Sequence, residues 1–160
     1  KEAEEKVAAI TLDGDGNADI LWRNASTGAN YLYLMEGTSV LEAIQIKRVS
    51  DTQWHIAQVA DLNGDGKSDI LWRHAISGAN YAFLMDGSVV EESASINRIS
   101  DINWKIADAG DYNGDGKSDI LWRNEVSGLN YLYLMDGFAI LETQVLNREA
   151  DLSWRVIDSH

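Results

Sequence analysis

The sequence predicts an all-β fold, a row of β-propeller-type blades in which each four-stranded unit occupies about 50 residues. Three observations predict it. The first is self-similarity: Asn63-Gly64-Asp65-Gly66-Lys67-Ser68-Asp69-Ile70-Leu71-Trp72-Arg73 returns verbatim from Asn113 to Arg123, and a looser copy runs from Asp13 to Arg23. The second is that the 50-residue period runs through the whole unit. Thr27-Gly28 answers Ser77-Gly78 and Ser127-Gly128, an Asn-Tyr pair opens an apolar run at Asn30, Asn80 and Asn130, and Gly37, Gly87 and Gly137 close it. Asp51, Asp101 and Asp151 each stand three residues before a tryptophan, at Trp54, Trp104 and Trp154. The third is segment length. The apolar segments are short, rich in aromatic and β-branched residues and separated by glycine-containing turns, which suits strands and not stable helices.

In chain order, the charged run Lys1 to Lys6 reads as a solvated tail, and Lys6 to Leu12 aligns with the first strand of a blade. In the second unit, 54–59, 70–73, 81–85 and 89–96 are each about the length of a strand, with equivalents before and after. Tyr131-Leu132-Tyr133-Leu134-Met135 is apolar or aromatic throughout and suits a strand covered on both faces. Proline is absent, so glycine, Asn and Asp carry the turns. The repeats fall at about 4–53, 54–103 and 104–153 of a single domain, 1–160, and an extra strand over 154–160 repeats the first strand without a blade of its own. Trp154 to Asp158 is therefore expected to pair across a chain boundary, in a six-bladed dimer or an open head-to-tail array. Helical and leucine-rich repeats need another period, and the turns of a parallel β-helix are much shorter.

The formal net charge of −13 sets phosphate-bearing partners against a field of their own sign, so neither nucleic acid nor an anionic membrane is an expected partner. Nine of the 26 acids lie inside the repeated loops. Three bound divalent cations would bring the charge to about −7, so most of the acidity reads as cation chemistry. With no cysteine there are no disulfides or thiolate metal sites. No apolar run reaches the roughly 18 residues of a membrane helix, and no leader pattern is visible, so the chain reads as a mature form or an internal piece.

The loop itself points to calcium. In the second copy, oxygen donors at alternate positions, Asp61, Asn63 and Asp65, can converge when the loop coils, and glycine at position 6 brings the Lys67 carbonyl round. Asp69 completes a set of hard oxygen donors, which suits Ca²⁺ better than zinc or copper. The third copy offers Asp111, Asn113, Asp115, the Lys117 carbonyl and Asp119. The first begins with Thr11 in place of aspartate and keeps Asp13, Asp15, the Asn17 carbonyl and Asp19, so it is expected to bind more weakly. An EF-hand would require a bidentate glutamate at position 12, where Trp72 and Trp122 stand, and a helix where Ile-Leu-Trp-Arg follows. Dockerins fail on the same mismatch.

Loops of this kind followed by Asp-Ile-Leu-Trp-Arg, in units of this length, resemble the calcium-binding blades of the FG-GAP/VCBS repeat family, which also build the integrin α-subunit propeller. The resemblance covers about residues 6 to 160. It implies a loop joining the first two strands of each blade and an extracellular or cell-surface location. Without proline the chain lacks the Gly-Ala-Pro element behind one family name, so it resembles the calcium-loop branch, and complete members usually carry more blades.

Trp22, Trp72 and Trp122, with Trp54, Trp104 and Trp154, read as packing between blades or as sugar-stacking platforms. Tyr31, Tyr81 and Tyr131 read as strand packing or the lining of a groove. Arg23, Arg73 and Arg123 read as ion-pair partners of the surrounding acids or as recognisers of an acidic ligand. His55, His74 and His160 have no repeated counterparts, and Asn24-Ala25-Ser26 is a lone glycosylation sequon. No nucleophile elbow, phosphate loop or acid/base pair stands outside the loops. The expected function is a non-enzymatic, calcium-stabilised extracellular module for adhesion or self-assembly, expected as a homo-oligomer because its terminal strands invite a second copy. The alternatives are a lectin with glycans held between blades and the accessory propeller of a larger secreted enzyme.

Overall fold

Each repeat folds into its own antiparallel meander. The structure is a computed structural model that describes residues 11–157. The N-terminal run, most of the aligned strand Lys6 to Leu12, and the end of the extra strand with His160 lie outside the described residues. The first sheet is β1 (Ile20–Arg23), β2 (Asn30–Glu36) and β3 (Ser39–Ile46), in that order. The second contains β4 (Trp54–Ala60), β5 (Asp69–His74), β6 (Ala79–Asp86) and β7 (Val89–Arg98). The third contains β8 (Trp104–Gly110), β9 (Asp119–Asn124), β10 (Asn130–Asp136) and β11 (Ala139–Val145). The second and third sheets have the expected four strands. Among the described residues, Trp154–Ile157 carries no strand pairing.

Strand formation follows the residue pattern. β5 and β9 are buried along most of their length, as the uninterrupted Ile-Leu-Trp requires of strands covered on both faces. β3 and β11 are largely exposed, as befits the outer strands of their meanders. Register shifts interrupt the pairing between Leu34 and Met35, Leu84 and Met85, and Leu134 and Met135, and again opposite Ala57 and Ala107. Such bulges strengthen the local twist of each sheet.

The core lies between sheets. Leu12, Leu32 and Ile46 of the first repeat pack against Ile70, Trp72, Phe83 and Met85 of the second. Leu71, with Ile96 and Ile99, repeats the arrangement against Ile120, Trp122 and Met135 of the third. Backbone hydrogen bonds stitch the same boundaries: Ser68 N–H donates to the Thr11 carbonyl and Gly87 N–H to that of Leu12, while Ser118 and Gly137 donate to Asp61 and Leu62. The loops that carry the acids are therefore part of the joint between neighbouring sheets.

One glycine at each joint is sterically required. Gly78 has φ +74°, and a Cβ there would stand 1.9 Å from the Ile99 carbonyl oxygen, which belongs to the connection leading into the third sheet. Gly37 also has positive φ, yet a Cβ there meets nothing within 4 Å. Gly37→Ala should cost about 1 kcal/mol, the left-handed penalty alone. Gly78→Ala should cost about 3 kcal/mol or more, because the joint must also open. Urea denaturation of the two variants side by side checks the difference; equal losses would remove the joint from the explanation.

Candidate metal centre

The three loops are coiled by their own carboxylates. In the second, Asp61 Oδ1 accepts from Gly64 N–H at 2.8 Å and Asp65 N–H at 3.1 Å, and its Oδ2 accepts from Gly66 N–H at 2.8 Å. Asn63 Oδ1 also accepts from Asp65 N–H, and Asp65 Oδ1 from Lys67 N–H. Asp111, Asn113 and Asp115 reproduce this set onto Gly114, Asp115, Gly116 and Lys117. Gly66, at φ +86°, supplies the reversal expected of position 6.

In the first loop Thr11 can offer only one oxygen. Its Oγ1 accepts from Gly14 N–H at 3.1 Å, and Asp13 Oδ1 takes the Asp15 amide in its place. Asp15 in turn accepts from the Asn17 backbone at 2.8 Å and from its side-chain amide at 3.1 Å. Here three carboxylates converge: Asp13, Asp15 and Asp19 each place an oxygen within 4.8 Å of the other two, a spacing that one ion can bridge. The loop expected to bind more weakly is thus the one whose acids are drawn together. The reason lies in the residues: position 3 is Asp13 here but Asn63 and Asn113 in the other loops, so only the first loop carries acids at positions 3, 5 and 9, while Asp61 and Asp111 at position 1 turn both oxygens onto loop amides.

Position 9 has a second role that alternation of oxygen donors did not disclose. Asp69 is fully buried, its Oδ2 accepting from Leu62 N–H and its Oδ1 from Met85 N–H, each at 2.8 Å. The β5–β6 ladder ends at Ile70 opposite Phe83, and the carboxylate takes over from it. Asp19 and Asp119 do the same with Leu12 and Met35, and with Tyr112 and Met135. Burial pushes the Asp69 carboxyl up to about 7, against the lowering effect of the Met85 and Leu62 amides, and Asp65 and Asp61 add to the rise. Burial likewise raises Asp61 and Asp19. Concentrated, desolvated carboxylates of this kind are stabilised in their charged form by a nearby cation. The lysines at position 7 face outward, Lys67 Nζ pairing with Asp86 at 2.9 Å and Lys117 Nζ with Asp136 at 3.1 Å, which leaves their carbonyls as the loop contribution.

A family model described as FG-GAP-like repeat matches residues 12–72 and, again, residues 61–122. The chain belongs to the FG-GAP-like repeat family. Each match starts in one acidic loop and ends at the tryptophan after the next, so the FG-GAP-like unit spans the joint between two sheets. Comparison with curated proteins and with solved structures gives no significant match.

Several residues of this FG-GAP-like chain act differently from expectation. Among the described residues the repeated arginines spend their hydrogen bonds on carbonyls, with Asp51 and Asp101 close enough to favour the charge of Arg23 and Arg73. Arg23 donates to the carbonyls of Trp54, Gly28, Val49 and Asp51 and to Asn30 Oδ1, and it lies over Trp72 at 4.9 Å. Arg73 donates to the carbonyls of Gly78, Ile99 and Asp101 and to Asn80 Oδ1, and it lies over Trp122 at 5.1 Å. The arginine is a clamp on the inter-sheet connection, and the Asn of each Asn-Tyr pair is its buried partner. His74 has counterparts after all, of another residue type. Its Nδ1 accepts from Ile76 and Ser77 N–H, as Asn24 Oδ1 does from Ser26 and Thr27 and Asn124 Oδ1 from Val126 and Ser127. The opposite nitrogen meets Asp51 at 2.9 Å, the place where Asn124 Nδ2 meets Asp101. The D-x-x-W spacing was the available signal for the rest of this turn: Asp51, Asp101 and Asp151 cap it through Oδ1 to Gln53, Asn103 and Ser153.

Proposed function

We propose that this chain is a non-enzymatic, calcium-stabilised module of propeller type, presented outside the cell for adhesion or self-assembly. The convergence of Asp13, Asp15 and Asp19 carries the reading. Hard oxygen donors at this spacing suit Ca²⁺, which accepts irregular sets of six to eight oxygens. Asn17 and Thr11 would add to that first site. Asp61, Asn63, Asp65, the Lys67 carbonyl and Asp69, with Asp111, Asn113, Asp115, the Lys117 carbonyl and Asp119, would hold two more ions once the position-1 carboxylate turns from the amides to the metal. The ion would supply positive charge at the joint between sheets, so its contribution is to folding. Family membership supports the extracellular setting, where calcium is abundant.

Isothermal calorimetry tests the site assignment. Calcium is expected to bind at three sites per chain, with the first distinguishable from the other two, and Asp15→Ala should abolish the first alone. Absence of calcium heat, or a count unaffected by Asp15→Ala, would refute the assignment.

A glycan-binding reading is favoured by a separate observation. A groove of about 410 Å³ between the first two sheets is lined by Trp54, Trp72, Tyr81 and Phe83. Its counterpart of about 180 Å³ is lined by Trp104, Trp122, Tyr131 and Tyr133. The indole N–H of Trp72 and of Trp122 is buried with no hydrogen-bond partner among the described residues. The accessible rings of Trp54 and Tyr81, and of Trp104 and Tyr131, suit the C–H faces of a sugar, whereas those indole N–H groups are enclosed in the joint. The arginines, all engaged by carbonyls, would take no part. A glycan array probed with and without EDTA separates this role from a purely structural one.

A further inference from the structure

Both internal joints are built from the same two faces. One face of a sheet presents Ile, Trp and an aromatic residue; the facing surface of the preceding sheet presents Leu and Ile, with an arginine laid over the tryptophan. The outward face of the first sheet repeats the tryptophan face residue for residue, yet nothing in the described chain covers it. Trp22 is 51% exposed and Ile20 40%, whereas Trp72, Trp122, Ile70 and Ile120 are at most 1% exposed. At the other end the exposures reverse in kind. Leu146 is 38% exposed where Ile46 is 2%, and Tyr112 is 46% exposed where Leu12 and Leu62 are 0%. A cleft of about 830 Å³ opens on this far face, lined among others by Leu121, Arg123, Leu146 and Trp154.

We propose that these outward faces are the two halves of one interface, and that the third sheet of one molecule docks on the first sheet of a second copy. Arg123 would lie over Trp22 of that copy, as Arg23 lies over Trp72 and Arg73 over Trp122. The proposal rests on the propeller-type module reading and names its partner. The occupant follows from sequence: Ile20-Leu21-Trp22-Arg23 is identical to the segments that fill this position twice already, Ile70-Leu71-Trp72-Arg73 and Ile120-Leu121-Trp122-Arg123. The contact is heterologous, head to tail, so it propagates into an array or closes into a ring. It differs from edge pairing of Trp154 to Asp158 because faces, not backbone edges, carry it.

Light scattering of the 160-residue chain in calcium is the test. Mass should rise above 17.7 kDa with concentration. Trp22→Glu on one face, or Leu146→Glu on the other, should raise the dissociation constant about 30-fold or more, the usual loss when a buried interface anchor is replaced. Ile20→Glu serves as a second variant should Trp22→Glu lose its calcium-dependent melting transition. Trp22→Glu and Leu146→Glu mixed in equal amounts should form a dimer, at twice the chain mass and no larger, because each keeps one intact face. A wild-type chain that stays at 17.7 kDa at every concentration would overturn the proposal, leaving the faces to a further repeat on the same polypeptide. Variants that both associate as the wild type does, or that fail to complement each other, would overturn it too. Calcium separates the two readings: stabilisation by calcium without association defeats only the docking, whereas no stabilisation by calcium defeats the module reading itself.

Discussion

Chelation by EDTA should lower the melting temperature by about 20 °C relative to saturating calcium. A ligand bound only by the folded state adds about 2.7 kcal/mol per site at a hundredfold excess over its dissociation constant, so three sites contribute about 8 kcal/mol. That is a large share of the 5 to 15 kcal/mol by which domains are usually stable. The structure explains why the dependence should be strong. Each loop gathers three acids, and the position-9 carboxylate is already out of water, Asp69, Asp119 and Asp19 all being buried. Those same loops lend backbone carbonyls to the neighbouring sheet, through Thr11, Leu12, Asp61 and Leu62. Repulsion in an empty loop is therefore transmitted to the joint. Differential scanning calorimetry with calcium, with EDTA and after calcium is restored checks the effect. Asp115→Ala should reproduce about a third of the loss, since the other two loops keep their ligands. A melting curve indifferent to EDTA would refute calcium stabilisation.

Much of this architecture was legible because it is local. Oxygen donors at alternate positions around Asn-Gly-Asp-Gly can only coil one way, and glycines with φ near +80° at Gly64 and Gly66 are where that coil needs them. Ile-Leu-Trp-Arg reads as a strand because no helical period fits it. What remained hidden depends on which backbone groups meet across the joint. Arg73 looked like a partner for acids, since the chain is full of them. Its acceptors are carbonyls 5, 26 and 28 residues ahead, at positions set only once the next sheet is in place. His74 looked isolated because a histidine and two asparagines share no letter, although their turn-capping acceptors coincide. Asp69 looked like the position-9 ligand and nothing more, because no local pattern shows that Met85, paired with Val90 on β7, lacks a ladder partner on β5.

Arg73→Ala should then be the most damaging side-chain truncation outside the loops, at about 4 kcal/mol with calcium saturating. The guanidinium fills four acceptors at once: Gly78 at 2.9 Å, Asn80 at 3.0 Å, Ile99 at 3.1 Å and Asp101 at 3.3 Å. It is only 7% exposed, so water cannot replace it at every carbonyl. Each buried acceptor left empty costs about 1 to 3 kcal/mol, and the lost contact with Trp122 adds about 1 kcal/mol. Arg73→Lys should recover less than half, because one ammonium cannot span the fork that two guanidinium nitrogens bridge. Arg123→Ala offers the internal comparison. It sheds the bonds to Gly128, Asn130 and Glu149, but no tryptophan of the described chain lies beneath its guanidinium, so its loss should be smaller. An exposed ion pair would cost under about 1 kcal/mol in every case. Urea denaturation in excess calcium, which keeps the metal sites filled, reads the clamp alone. A loss below 1 kcal/mol for Arg73→Ala would show that the recurring arginine is a surface charge and not the pin between neighbouring sheets.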